Sequence, residues 1–283
     1  MKKDTGADSM RHTDEHPFDF SLTTRFKAVH VLGYLQPQRG ESILDVGCGL
    51  GFFLNSMARR GIKGYGLDYS LKSLSHARRL TAGEVCQGDA QGMPFLDNSF
   101  DKIIFTDVLE HVKDDSGTLK EIVRIGRPDS LVALVTPGVR GRLANTGWRK
   151  LYHDEEGTPE YDERAGYEPE ELRELMEDAG IRVSEVRQTL IFAAEFFLQF
   201  TKWFLSNRKV HYQTQGDILD ITQSRTFQLY RRLVFPLFYG IGRLEEALLA
   251  GRINGHSLIA LGVVDKPATG TISERREFLA VNG

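Results

Sequence analysis

Cysteine is nearly absent from this chain: Cys48 and Cys86 are the only two among 283 residues. Two thiols cannot supply a disulfide framework or a four-thiolate zinc site, so a reducing compartment is expected. Long apolar runs are missing too. The richest stretch, around residues 190–205, is interrupted by Glu195, Gln199 and Lys202 and falls short of the ~20 residues a membrane span needs. The segment from Met1 to His16 is charged and has no apolar centre, so no signal peptide is expected. Neither sign of charge prevails: 36 basic and 39 acidic residues leave a net charge of −3. That balance disfavours a general nucleic-acid binder, which needs a basic surface to displace counterions from phosphates. Internal repeats and low-complexity blocks are likewise missing. What remains, at 41% hydrophobic and 27% charged residues, suits a globular chain built on one large α/β domain.

The averages hide two uneven regions. Residues 151–186 contain 13 acidic and 3 basic side chains. Residues 192–239 hold 12 of the 28 aromatics in the chain. The acidic run reads as a solvated face, with His153, Asp154, Tyr161 and Tyr167 as candidates for a lid over a substrate.

Periodicity organises the rest. Residues 1–22 read as a loosely attached arm and 266–283 as a flexible tail. Between them, short apolar runs at 42–46, 63–67, 84–87, 102–105, 131–135, 181–189 and 256–264 predict strands. Helical patterns at 23–35, 52–60, 70–80, 108–125 and 169–179 fall among them. Strands alternating with helices predict a doubly wound, mostly parallel sheet covered on both faces. The aromatic segment, 190–254, becomes a helical insertion before the last strand, inside a single domain spanning 23–265.

The most informative string is Ile43-Leu-Asp-Val-Gly-Cys-Gly-Leu-Gly51. A strand that turns through glycines into a helix exposes backbone amides to an anionic or strongly polar ligand. Phe52 stands where the dinucleotide fingerprint wants glycine or alanine, and no Lys-Ser or Lys-Thr follows to make a nucleoside-triphosphate loop. Asp45 can hold the loop or face a cationic amino group. Asp68 ends the next strand, 21 positions after Gly47, at the spacing for a carboxylate that accepts from both ribose hydroxyls. Asp89 ends the third strand, where an exocyclic amine is its natural partner.

With these strings in order, the chain resembles a class I S-adenosylmethionine-dependent methyltransferase. The matching segments are Leu44–Gly51, Gly66-Leu-Asp68, Gly88-Asp-Ala90 with Met93-Pro-Phe95, Phe100–Val112, and Gly166–Leu172 with Ala179-Gly-Ile181. The resemblance implies a seven-stranded sheet with an antiparallel last strand and S-adenosylmethionine as cofactor. It implies Gly47 and Gly49 against the methionine portion, Asp45 supporting the loop or the amino group, and Asp68 on the ribose. Tyr69 would lie on the adenine face, Asp89 and Ala90 at its edge, and Thr106 or Asp107 at the methionine end.

Methyl transfer from a sulfonium is an in-line displacement, so positioning and water exclusion supply most of the rate. A hydroxyl acceptor still benefits from a base, and His111 is the candidate. The string Asp107, Glu110, His111 resembles that of ubiquinone-biosynthesis O-methyltransferases, and helical spacing would bring the three within reach of one cation. Structural capping is the preferred reading, and no metal is expected. Residues 190–252 carry eight basic and five acidic side chains among the aromatics. They are expected to form a pocket cover, a homodimer interface or a surface helix in a lipid headgroup layer. The overall expectation is a cytoplasmic enzyme, at most peripheral to the inner face of a membrane. It would methylate a small or lipid-linked acceptor, most simply at oxygen. The competing class, a non-catalytic S-adenosylmethionine-binding or scaffold protein keeping the fold, is disfavoured by the intact glycine loop, Asp68 and Asp89.

Overall fold

The computed structural model describes residues 16–81, 83–139, 164, 166–189, 196, 225–249 and 255–266. The expected arm up to residue 15, the tail from 267, most of 190–224, and His153, Asp154 and Tyr161 lie outside those residues.

Seven strands form one sheet: β1 (Ile43–Val46), β2 (Tyr65–Asp68), β3 (Glu84–Gln87), β4 (Phe100–Thr106), β5 (Gly126–Pro137), β6 (Ile181–Thr189) and β7 (Ser257–Val264). Their spatial order is β3-β2-β1-β4-β5-β7-β6. The pairs from β3 through β5 are parallel, while β7 runs antiparallel to both β5 and β6. The expected fold class holds, with the antiparallel last strand wedged between two earlier ones.

Alternation along the strands sets the two cores. Leu44 and Val46 join Ile103, Phe105, Val132 and Leu134 on one face, under α4 (Asp115–Ile125) and α5 (Pro169–Asp178). Ile43 joins Ile104, Ala133 and Ile259 on the other, under α1 (Leu22–Leu35), α2 (Phe52–Ala58) and α3 (Leu71–Leu80). Helix starts follow the sequence closely. Ser70 accepts from the Ser73 amide at 3.2 Å, Asp114 accepts from the Gly117 amide at 2.8 Å, and Pro169 opens α5 inside a Glu168–Glu171 capping box.

Two expectations change. The predicted helix over 108–125 is two pieces, a 3-10 turn at Leu109–His111 and then α4, because Val112 is extended and Asp114 starts a new helix. β5 is longer than 131–135, starting at Gly126, which pairs with Phe100 across a register shift.

After β6 comes a third cluster. The insertion is described over α6 (Arg225–Leu229), a π turn (Tyr230–Val234) and α7 (Phe235–Leu249), which run on without a break. Pro236, Gly240 and Gly242 lie within this helical run without ending it. Pro236 has no amide for the Arg232 carbonyl, and the Phe235 amide reaches back five residues to Tyr230, widening one turn instead. Phe235 packs on Leu22 and Phe26, and Phe26 and Tyr239 lie 5.3 Å apart ring to ring. A β-carbon on Gly242 would stand 2.5 Å from Phe26 Cζ, so glycine permits this close helix crossing.

Candidate cofactor site

In an open parallel sheet, ligands gather at the carboxyl ends of the strands, where the order reverses. Here the reversal lies between β1 and β4. The segments leaving β1, β2, β3 and β4 therefore reach one rim: Asp45 to Gly51, Asp68 and Tyr69, Asp89 and Ala90, and Thr106 to His111.

The loop after β1 is built on backbone amides. Gly47, Gly49 and Gly51 have φ of +72°, +51° and +81°. At Gly47 two constraints coincide, since a β-carbon would also meet Val108 Cγ2 at 2.1 Å. The amides of Gly47 and Cys48 both donate to the Leu67 carbonyl, at 2.7 and 2.9 Å. The Gly49 amide donates to Asp68 Oδ2 at 2.7 Å, and the Ser70 amide to Oδ1 at 2.8 Å. Asp68 thus ties the loop to the start of α3, while each of its oxygens keeps capacity for a second donor.

Asp45 is 1% exposed, and its Oδ1 has no partner among the described residues. Burial, reinforced by the nearby Asp68 charge, holds its carboxyl well above the usual carboxylate range. A buried oxygen without a donor, close to a second carboxylate, fits a ligand bearing an ammonium or sulfonium and a diol. S-adenosylmethionine carries all three. Cys48 is buried, and burial raises its thiol, which removes it as a nucleophile.

Farther along the rim, Tyr69 is 78% exposed with its ring free of the core. The Asp89 carboxylate accepts from the Gln91 amide at 2.9 Å, and Ala90 is buried beside it. Asp107 follows β4 at φ +54°, and Lys27 of α1 donates to both of its carboxylate oxygens at 2.6 Å. Thr106 is half-buried next to it.

His111 is exposed on the 3-10 turn, whereas Glu110 is 3% exposed and accepts from Thr136 Oγ1 at 3.1 Å. The three residues Asp107, Glu110 and His111 therefore do not share one helical turn or one environment. No three His, Cys, Asp or Glu side chains gather for a metal among the described residues. Burial and the Asp107 charge raise Glu110 to about 7. Tyr167, read from sequence as a lid candidate, is instead 1% exposed in the core, under the Arg164 guanidinium at 4.2 Å.

Lys27, Thr136 and the burial of Glu110 were not foreseen. Lys27 comes from a helix outside the motif strings, and Thr136 ends a strand that carries no signature of its own.

Residues 44–134 match the family described as a methyltransferase domain. Over those residues, about a third of its length, the chain is similar to a methyltransferase domain. A demethylmenaquinone methyltransferase of Staphylococcus epidermidis is 34% identical over 110 residues, covering 36% of this chain and 46% of that one. A ubiquinone biosynthesis O-methyltransferase of Sinorhizobium fredii is 29% identical over 162 residues, 53% of this chain and 63% of the relative. The chain thus spans about half the length of the curated relatives it matches. A solved S-adenosylmethionine-dependent methyltransferase from Methanosarcina mazei shares the fold, with TM-score 0.51 and 20% identity over 84% of this chain and 98% of that one. The matched residues 44–134 contain the whole rim from Asp45 to His111, and α6 and α7 lie beyond them in sequence.

Proposed function

We propose that the protein transfers a methyl group from S-adenosylmethionine to the hydroxyl of a small or lipid-like acceptor. The observation that carries the reading is the convergence of four strand ends on one rim, with Gly49 bonded to Asp68 and Asp45 left with a buried oxygen. In this reading Asp68 accepts from the ribose hydroxyls through its remaining lone pairs. Asp45 and the backbone around Gly47 and Gly49 contact the methionine portion, with Thr106 and Asp107 at its end. Tyr69 covers the adenine face, and Asp89 with Ala90 meets its edge. When bound, the cofactor supplies a methyl group already activated on a sulfonium.

The chain's own residues then orient the acceptor, exclude water and take up a proton. His111, exposed on the same rim, is assigned the acceptor's proton. Lys27, paired with Asp107, brings α1 over the methionine end and narrows the approach. Relatives named for menaquinone and ubiquinone biosynthesis support a lipid-like acceptor and, through the O-methyltransferase, transfer to oxygen.

Calorimetric titration with S-adenosylmethionine tests the first step. Saturable binding is expected, and no heat at millimolar ligand would remove the reading in favour of a scaffold. Incubating simple quinols with methyl-labelled cofactor tests the second, with label expected on oxygen; labelling of amines or carbon alone would overturn that assignment.

A further inference from the structure

One face of the insertion helix has no partner among the described residues, and from Leu233 to Leu244 its exposed residues carry no charge. Between Leu233 and Leu244, the exposed residues are Leu233, Pro236, Leu237, Gly240, Ile241 and Leu244. Leu229 extends the stripe, which is 42–63% exposed at its large side chains. At 1.5 Å per residue, Leu229 to Leu244 runs about 22 Å. Isolated exposed leucines are ordinary, but a continuous stripe of this length on a soluble surface marks an interaction face.

The opposite face is held firmly. Glu246, 7% exposed, accepts from Thr189 Oγ1, from His30 Nε2 at 3.3 Å and from Arg243 Nη1 at 3.0 Å. Arg187 Nη1 donates to His30 Nδ1 at 3.1 Å. A guanidinium can only donate, so the imidazole carries its proton on Nε2 and points it at Glu246. This network, with the Phe26 crossing at Gly242, sets which side of the helix faces outward.

Charge identifies the occupant. Arg232 is exposed beside the first turn of the stripe, Arg231 lies over the Phe20 ring at 4.7 Å, and Arg243 is ion-paired with Glu246. Glu245 is half-buried like Arg231 and Arg243, Glu246 is buried and ion-paired, and residues 225–249 as a whole carry four arginines against two glutamates. Residues 190–252 carry three more basic than acidic side chains, in a chain whose net charge is −3. Apolar residues outward with arginines at the margins are the arrangement of a helix lying in the headgroup layer of an anionic bilayer. We propose that the Leu229–Leu244 face docks the protein on an anionic phospholipid surface. The inference deepens the function proposed above, on which it rests, by naming where a lipid-like acceptor is met.

Vesicle flotation tests it, using full-length protein with phosphatidylcholine vesicles containing or lacking phosphatidylglycerol. Wild-type protein is expected to float with the anionic vesicles and far less with the neutral ones. Leu237→Asp combined with Ile241→Asp should lower partitioning at least tenfold, and Arg232→Glu should do so chiefly on anionic vesicles. All three positions are exposed, so melting temperature and S-adenosylmethionine affinity should stay unchanged. Wild-type protein that never floats would overturn the proposal, as would a double variant that floats equally well. A dimer in sedimentation velocity that the double variant dissociates, with no flotation, would assign the face to a second copy instead. Cofactor titration without vesicles reads the methyltransferase proposal separately, so the two can fail independently.

Discussion

At the scale of single residues, Asp68 and Gly47 have structural roles beside the binding roles proposed for them. Asp68→Ala removes the acceptor for two backbone amides, Gly49 and Ser70, besides the group proposed for the ribose. It should weaken S-adenosylmethionine binding at least a hundredfold and lower stability by about 1–3 kcal/mol. Calorimetry and urea titration measure the two effects separately, and unchanged affinity would show that the ribose assignment is wrong. Gly47→Ala forces a β-carbon against Val108 at positive φ. A cost of about 2 kcal/mol is expected. Val108→Ala in the same chain should relieve the steric part but not the backbone part, as a double-mutant cycle would reveal.

Glu110 sets a pH dependence. Its folded pKa, about 7, lies above its ordinary 4.5 because of burial and the Asp107 charge. Below pH 4.5 the carboxyl is protonated in both states and the contribution to stability is at its fullest. As pH rises through 7 that contribution disappears, up to about 3 kcal/mol in all. Glu110→Gln should remove this slope, so the variant should gain stability relative to wild type between pH 5 and 8. Parallel wild-type and variant melting curves across that range would refute it.

At the scale of elements, the strings between Asp45 and Ala90 were legible because strand, turn and helix each leave a local mark. A glycine run, an acid at a strand end and a serine or aspartate cap need no knowledge of distant residues. The break between Leu109–His111 and α4 was hidden, since Leu119, Ile122 and Val123 extend the same apolar pattern backward. Burial decided it: Glu110 turns inward to Thr136, which belongs to another strand. The network around Glu246 was invisible for the same reason, joining α1, β6 and α7 across 216 positions between His30 and Glu246. Glu246→Ala leaves His30, Thr189 and Arg243 without their shared acceptor. It should cost about 2–4 kcal/mol and increase hydrogen exchange across 225–249 before the sheet opens. Uniform exchange throughout the molecule would show that α7 does not open as a separate unit.

At the scale of the whole molecule, ligand binding and stability are linked. At one hundred times its dissociation constant, a ligand that binds only the folded state adds about 2.7 kcal/mol. Saturating S-adenosylmethionine should therefore raise the melting temperature by several degrees in wild-type protein and hardly at all in Asp68→Ala. An equal rise in both would place the ligand elsewhere. The near-neutral total charge also divides by region, with the excess acid near 151–186 and the excess base in 190–252.

The position of β7 bears on synthesis. It lies between β5 and β6, hydrogen-bonded to both along nearly its whole length, yet it leaves the ribosome after both of them. Until residues 257–264 emerge, β5 and β6 present two unpaired edges facing the same gap, at the centre of the eventual sheet's second half. Such edges invite pairing with other nascent chains. The segment between β6 and β7 then sets how long that gap stays open, whatever else the insertion does once the sheet has closed.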